Sequence, residues 1–392
     1  MAEIIMAGLM MFVFKRGSKN NTNQLFTPNF EKNYFTIFGL RLPVMASVHQ
    51  FLENLPAKEI ERIKHTLIHI LIEKRVLEKF RFNKQYVVAV DGTGVFSFDE
   101  EPFEGCPYKT SKNGKKTWQA GVLEAKIICS NGFSISMETE WYQNSDNIED
   151  KQDCELKAFK RLSAKLKKNY PRMALTIVAD SLYPNETFFK ICNDNKWNYI
   201  LTFKDGTLKS IWHEINSLYP IEEKQNKQLR VTDIKYKEET MYLNNIEYKE
   251  KYLLYWCEYI RKYSKSDKQD RFVHLTNINI NHSNVWEVSY YGRLRWKIEN
   301  EGFNTQKKQG YNLEHKYAEK NFNAMQNYYQ LLQIGHLINQ LTEKLESVKA
   351  KIKTAQLTIK AMLEDTVAVM KKEVIEHQTV LEQLESTKQL RY

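Results

Sequence analysis

Two short apolar runs, each closed by an aspartate, constrain this chain more than any other feature. Tyr86-Val-Val-Ala-Val90 runs into Asp91, and Leu175-Thr-Ile-Val-Ala179 runs into Asp180. A short, nearly unbroken apolar run of this kind reads as a strand buried on both faces. Such strands need helices over their sheet, so an α/β architecture follows. An acid at the C-terminal end of a buried strand stands where ligands gather in α/β folds. Taken singly, Asp91-Gly92 reads equally well as a turn and Asp180-Ser181 as a helix cap.

The stretches around these runs agree with a mixed sheet carrying packed helices. Asp91-Gly-Thr-Gly94 reads as a turn, with Val95 to Phe98 resuming as a strand. Trp118 to Cys129 and Phe133 to Thr139 read as a hairpin around Ser130-Asn131-Gly132. Lys151 to Lys168 is an amphipathic helix with Cys154, Ala158, Phe159, Leu162 and Leu166 on one stripe. A helix over Pro184 to Asn195 and a strand over Tyr199 to Phe203 follow. Residues 206–283 read as a β-rich insertion, with turns at Asn244-Asn245 and at Ser264 to Asp270.

Helices flank this core. Ile4 to Phe14 is apolar but too short to cross a bilayer. Glu3 before it and Lys15-Arg16 after it are the wrong surroundings for a signal peptide, so a buried helix is expected. Ser47 to Lys79 has helical periodicity, broken near Pro56. Beyond Leu337, the series Leu341, Leu345, Val348, Ile352, Ala355, Ile359 and Met362 steps by four and three, which predicts one long helix. That stripe suits either a coiled coil or packing onto the chain's own domain. Three regions result: an N-terminal helical domain (1–80) with DNA contact as one use, an α/β domain (81–340) and a helical tail (341–392).

Composition narrows the function classes. At 42% hydrophobic and 27% charged residues, the chain is globular rather than disordered. Lys plus Arg number 58 against 48 Asp plus Glu, and the resulting +10 suits a polyanionic partner or plain solubility. Five scattered cysteines without a CxxC pair argue against a disulfide framework and a Cys-based zinc site. His65 and His69 have helical spacing, but Thr66 stands where a zinc protease has Glu. A third notable acid is Glu299, in Arg295-Trp-Lys-Ile-Glu-Asn-Glu301, which on a helix could simply pair with Arg295. Three carboxylates meeting at a sheet edge would hold hard divalent cations.

Taken together, several stretches resemble the DDE-type transposases of bacterial insertion sequences, over roughly residues 1–340. They are Val87-Val-Ala-Val-Asp91-Gly-Thr93; Lys151-Gln-Asp-Cys-Glu155 with Ala158 and Arg161; Val178-Ala-Asp180-Ser-Leu-Tyr183; and Gly292-Arg-Leu-Arg295-Trp-Lys-Ile-Glu299-Asn-Glu-Gly-Phe-Asn-Thr305. The last continues through Lys307, Gly310-Tyr311 and Leu313-Glu-His315. The resemblance implies an RNase H-like core in which Asp91, Asp180 and Glu299 are catalytic and hold two Mg²⁺ ions, with Mn²⁺ able to substitute. Glu301 competes with Glu299 for the third place. The implied partners are double-stranded DNA, as transposon ends and target, and a second copy of the chain on that DNA. The implied setting is the bacterial cytoplasm at the nucleoid, with no membrane.

The resemblance also implies DNA contacts by Arg295, Tyr291, Lys307 and Lys308. The family's third motif is Tyr, two residues, Arg, three residues, Glu, six residues, Lys. Here Gly292 and Gln306 occupy the Tyr and Lys positions, with Tyr291 and Lys307 one place away. Arg293, Lys151 and Glu155 are further candidates for orienting phosphate or metal ligands. Family members that cut through DNA hairpins use an aromatic of the β-insertion to support a flipped base, which makes Trp256 a candidate; Trp296 reads as core. Two other readings fit the same residues. One is an RNase H-like nuclease without strand transfer, and the other is a catalytically silent DNA-binding scaffold.

Overall fold

The computed structural model describes residues 1–143, 151–233 and 235–390, without the side chains of 151–154, 232 and 233. Five helices open the chain: α1 (Ala2–Val13), α2 (Lys19–Asn23), α3 (Pro28–Phe38), α4 (Met45–Asn54) and α5 (Ala57–Glu73). The central part runs β1 (Tyr86–Phe98), β2 (Tyr108–Thr110), β3 (Lys116–Ile128), β4 (Ser134–Trp141), α6 (Lys151–Asn169), β5 (Leu175–Ala179), α7 (Glu186–Asn195) and β6 (Asn198–Thr202). The insertion adds α8 (Lys209–Asn226), β7 (Gln228–Asp233), β8 (Tyr236–Tyr248), β9 (Tyr252–Tyr263) and β10 (Gln269–Thr276). Helix α9 (Val285–Arg293), a π-helical segment Ile298–Asn304, α10 (Thr305–Lys308) and α11 (Phe322–Thr342) follow. The tail holds α12 (Glu346–Ala355), α13 (Ile359–Lys372) and α14 (His377–Glu385).

This is a mixed α/β protein whose ten strands form one mixed sheet. The order is β2-β3-β1-β5-β6-β10-β9-β8-β7, and β4 pairs with β3. The chain forms two compact units, one of Met1–Ile70, Gly94–Ala120 and Gly302–Tyr392, the other of Leu71–Thr93 and Gly121–Glu301. Among the described residues, no helix is long and apolar enough to cross a membrane.

In the second unit, β1 and β5 are parallel, with Ala89 beside Val178. β5 and β6 are also parallel. β10 then joins β6 antiparallel, so the insertion continues the core sheet rather than standing apart from it. Helix α6 packs on β4, α7 on β6 and α8 on β8, while α9 lies over β5, β6 and β8 to β10. Burial of Val87 to Val90, Ile177 and Val178 at 1% exposure or less accounts for their apolar, β-branched character.

Two local expectations change here. Asp91 to Gly94 is not a turn, because β1 runs on through it. Neither Gly92 nor Gly94 has a positive φ. Gly92 is glycine because any Cβ there would collide with the Tyr142 hydroxyl. Asn244-Asn245 is not a turn either. It is a bulge within β8, where the register to β9 shifts between Leu243 and Ile246. Asn245 takes the left-handed conformation (φ 60°), which Asn tolerates. Asn244 is tied to Ile280, donating to its carbonyl (2.7 Å) and accepting from its amide (3.3 Å). The real hairpin turn is Lys249-Glu250, both left-handed.

In the first unit, α11 is buried almost all round and packs on α1 and α4. Close approach needs Gly8 and Gly335, whose added Cβ atoms would meet Leu331 at 3.0 Å and Phe12 at 2.7 Å. Polar side chains on α11 satisfy helix ends. Asn327 Nδ2 donates to the Leu52 and Leu55 carbonyls (2.9 and 2.7 Å), and Asn339 Nδ2 to Val13 O (3.2 Å). The tail is three short helices, not one long one. Val367 and Met370 of α13 sit in a cluster with Met10, Leu25, Phe30 and Tyr34. These two residues lie beyond the stripe, and α12, which carries Val348, Ile352 and Ala355, has no buried residue.

Candidate active site

The pairing of β1 with β5 places the two aspartates. Extending the Ala89–Val178 register by two residues sets Asp91 beside Asp180. Asp180 is the first residue after β5, and its charge is felt by the Asp91 carboxyl. Asp91 Oδ1 accepts from the Gly92 amide (2.9 Å), and Asp180 Oδ1 from the Leu182 amide (2.9 Å). The latter is an Asx-type turn after β5. Asn185, not Asp180, caps α7.

Arg295 and Glu155 complete the immediate surroundings. Arg295 Nη1 lies 3.3 Å from Asp91 Oδ2, with side chains 10% and 23% exposed. Its partner is therefore Asp91. Helix α9 ends at Arg293, and Glu299 lies in the π-helical segment, so the chain between Arg295 and Glu299 is not one regular α-helix. Glu155, on the second turn of α6, is 4% exposed, and its Oε1 would lie 3.4 Å from a Cβ on Gly92. Burial, helped by Asp180 and Glu155 and opposed by Arg295 and the Gly92 amide, raises the Asp91 pKa to about 6. The Tyr183 hydroxyl is buried without a hydrogen-bond partner among the described residues. Its pKa is raised by burial and by Glu155, Tyr142, Asp180 and Asp91.

A cleft of about 370 Å³ opens beside Asp180. Its walls carry Lys204, Arg271, Arg293 and Arg295 against the acids Asp180 and Asp205. Arg271 is held by Glu258 (2.5 Å) and Asp205 (3.1 Å), and Arg293 stacks on Tyr259 at 4.1 Å. His274 lines the cleft with its Nδ1 buried and without a hydrogen-bond partner among the described residues. Burial, with Arg293 and Arg295, drives its pKa down to about 3, so it is neutral at ordinary pH. Trp296 is not core: it is 48% exposed at this cleft, 4.8 Å from the Arg295 guanidinium.

The remaining candidates fall elsewhere. Glu299 is half-buried and makes no hydrogen bond or ion pair among the described residues. Glu301 pairs with Lys297 (2.7 Å). Gly292 has no room for the motif's Tyr, since a Cβ there would meet His274 at 2.5 Å and Ile200 at 2.9 Å. Tyr291 instead packs on Phe82, ring centroids 4.6 Å apart. Gln306 is fully buried and bonds Gln333 (2.8 Å) and His336 (2.9 Å), which explains the absence of a lysine there. Lys307 pairs with Glu314 (2.9 Å), and Lys308 is exposed. Trp256 is 1% exposed in the insertion's core against Trp212 and Tyr219, so it cannot stack on a base without leaving that core. The side chain of Lys151 lies outside the described residues. Tyr142, Tyr183 and His274 were not singled out from the sequence as site residues; only Tyr183, three places after Asp180, carried a positional signal.

Among the described residues, no three His, Cys, Asp or Glu side chains are grouped to hold a metal ion. The donor chemistry nevertheless fits one hard cation. Mg²⁺ takes one or two protein carboxylates and completes its shell with water and phosphate. Asp91 and Asp180 provide two, and a cation would offset the burial, and the smaller repulsion by Asp180 and Glu155, that disfavour the charged form of Asp91. No family model matches the chain, and no curated protein matches it significantly.

Proposed function

We propose that this chain is a metal-dependent DNA strand transferase, a transposase of the DDE type with an RNase H-like core. One observation carries the reading: one aspartate within β1 and one directly after its parallel neighbour β5, beside a cleft lined by cations. The succession β4-β3-β1-β5-β6, with β1, β5 and β6 parallel, supports the RNase H-like part of it. In this reading Asp91 and Asp180 hold Mg²⁺, and Glu299, a carboxylate with no partner among the described residues, joins them when DNA is bound. Mg²⁺ bound there supplies Lewis-acid polarisation of the scissile phosphate and its attacking oxygen.

The chain's own residues do the rest. Arg295 moves its charge between Asp91 and the DNA phosphate. Lys204, Arg271 and Arg293 track the strand's backbone, and neutral His274 offers a hydrogen bond without adding charge. The low exposure of Asp91 and Arg295 keeps bulk water from screening these interactions. Water is the first attacking group, and the 3′-hydroxyl it leaves attacks a second phosphodiester.

The test uses DNA carrying the element's ends and a target plasmid. Asp91→Asn or Asp180→Asn should lower Mg²⁺-dependent cleavage at least 1,000-fold while changing DNA affinity less than about threefold. Unimpaired cleavage by either variant would refute the assignment. Cleavage without joined products would favour the nuclease reading, and no metal-stimulated cleavage by the intact chain would favour the scaffold.

A further inference from the structure

The first unit contains a second cleft, of about 590 Å³, lined by Phe14, Lys15, Arg16, Lys308, Lys360 and Glu364 together with the start of α13. It gathers four cations against one acid. Two of the four are loosely neutralised: Lys15 lies 3.9 Å from Glu343 and Lys360 3.9 Å from Glu364. The other two, Arg16 and Lys308, make no ion pair among the described residues. Arg16 Nε is also buried without a hydrogen-bond acceptor. A buried guanidinium donor without an acceptor costs free energy of the order of 1–3 kcal/mol, which an anion in the cleft would remove. The first turn of the fourteen-residue α13 adds partial positive charge at the same wall. Phe14, Ile359 and Leu363 supply an apolar side.

We infer that this cleft binds a nucleotide-sized phosphoester, its phosphate on Arg16 and Lys308 and its organic body against Phe14, Ile359 and Leu363. Lys15 and Lys360 line the same cleft and add positive charge to it. Guanidinium suits this role because it presents paired donors in a plane, the geometry a phosphate accepts. The ligand chemistry is shared by a free mononucleotide and by one nucleotide of a DNA strand. None of these residues lines the cleft beside Asp180.

The test is calorimetric titration of the full-length chain with inorganic phosphate, a deoxynucleoside monophosphate and a short single-stranded oligodeoxynucleotide. The variants are Arg16→Gln, Lys308→Gln and their combination, with Asp91→Asn as a control for the other site and circular dichroism to check folding. The combined variant should weaken binding at least tenfold while Asp91→Asn leaves it unchanged. Should Arg16→Gln fail to fold, Lys308→Gln alone should still weaken binding about threefold or more. Variant-sensitive binding of the monophosphate identifies a free-nucleotide site; the same sensitivity seen only with the oligonucleotide identifies a strand site. No saturable binding of any of the three, or binding indifferent to the substitutions, overturns the inference.

Discussion

At the scale of single residues, Asp91 is the most informative position. Its carboxyl is raised from 3.8 to about 6, so the folded state binds a proton more tightly than the unfolded chain does. The stability this contributes is fully present below pH 3.8 and is lost as pH rises through about 6. Without divalent cations, Asp91→Asn should therefore stabilise the protein at pH 8 by about 2 kcal/mol relative to its effect at pH 4. Denaturant titrations at the two pH values check this, and equal effects at both would show that Asp91 is not held up. Asp180 was legible as a strand-end acid because the apolar run before it stops there; Asp91 was legible as an acid on a buried strand but not as its end, since β1 continues to Phe98. The exposure of Trp296 was not legible, although Arg295 and Lys297 flank it, because long-range packing decides which face of that segment is covered.

At the scale of elements, the seat of α13 rests on one side chain. Asn33, fully buried, donates through Nδ2 to Met370 O (2.9 Å) and Glu373 O (2.7 Å), and its Oδ1 accepts from the Ile375 amide (2.7 Å). These bonds occupy carbonyls and an amide at the end of α13 that the helix leaves unsatisfied. Asn33→Ala should cost about 2–3 kcal/mol. It should also accelerate amide exchange across Ile359–Lys372 well before the rest of the first unit. Uniform exchange would mean that α13 is held by its apolar face alone. A heptad stripe cannot reveal this arrangement, since period three-and-a-half reports an apolar face but not what covers it. The hairpin of β3 and β4 and the strands β5 and β6 were legible within two residues, because alternation and turn chemistry are local signals. The passage of β1 through Asp91 to Gly94 was not, because glycine marks a turn and a crowded neighbour in the same way.

At the scale of the whole molecule, the +10 charge acquires a location. Part of it lines two clefts, one in each unit, and each contains four basic side chains. Were all four cations beside Asp180 to reach phosphates, DNA affinity would fall with log salt at a slope of roughly −3 to −4. Lys204→Gln should flatten that slope by about one while Asp91→Asn leaves it unchanged, as read by fluorescence anisotropy from low to moderate salt. A slope near zero would return the surplus charge to solubility. Mixed α/β architecture could be read from the order of strands and helices. The continuation of the sheet into the insertion could not, because β10 finds β6 only in three dimensions.

That last pairing has a consequence for how the protein is made. Thr276 pairs with Ile200 and His274 with Thr202. A ribosome adding about 5–20 residues each second needs several seconds to carry the chain from β6 at Thr202 to β10 at Gln269. Throughout that interval one side of β6 displays unpaired backbone donors and acceptors, the surface on which strands from other chains assemble. The apolar β5–β6 layer is thus most vulnerable while translation is still under way, and slower elongation over 203–268 should raise the fraction lost to inclusion bodies.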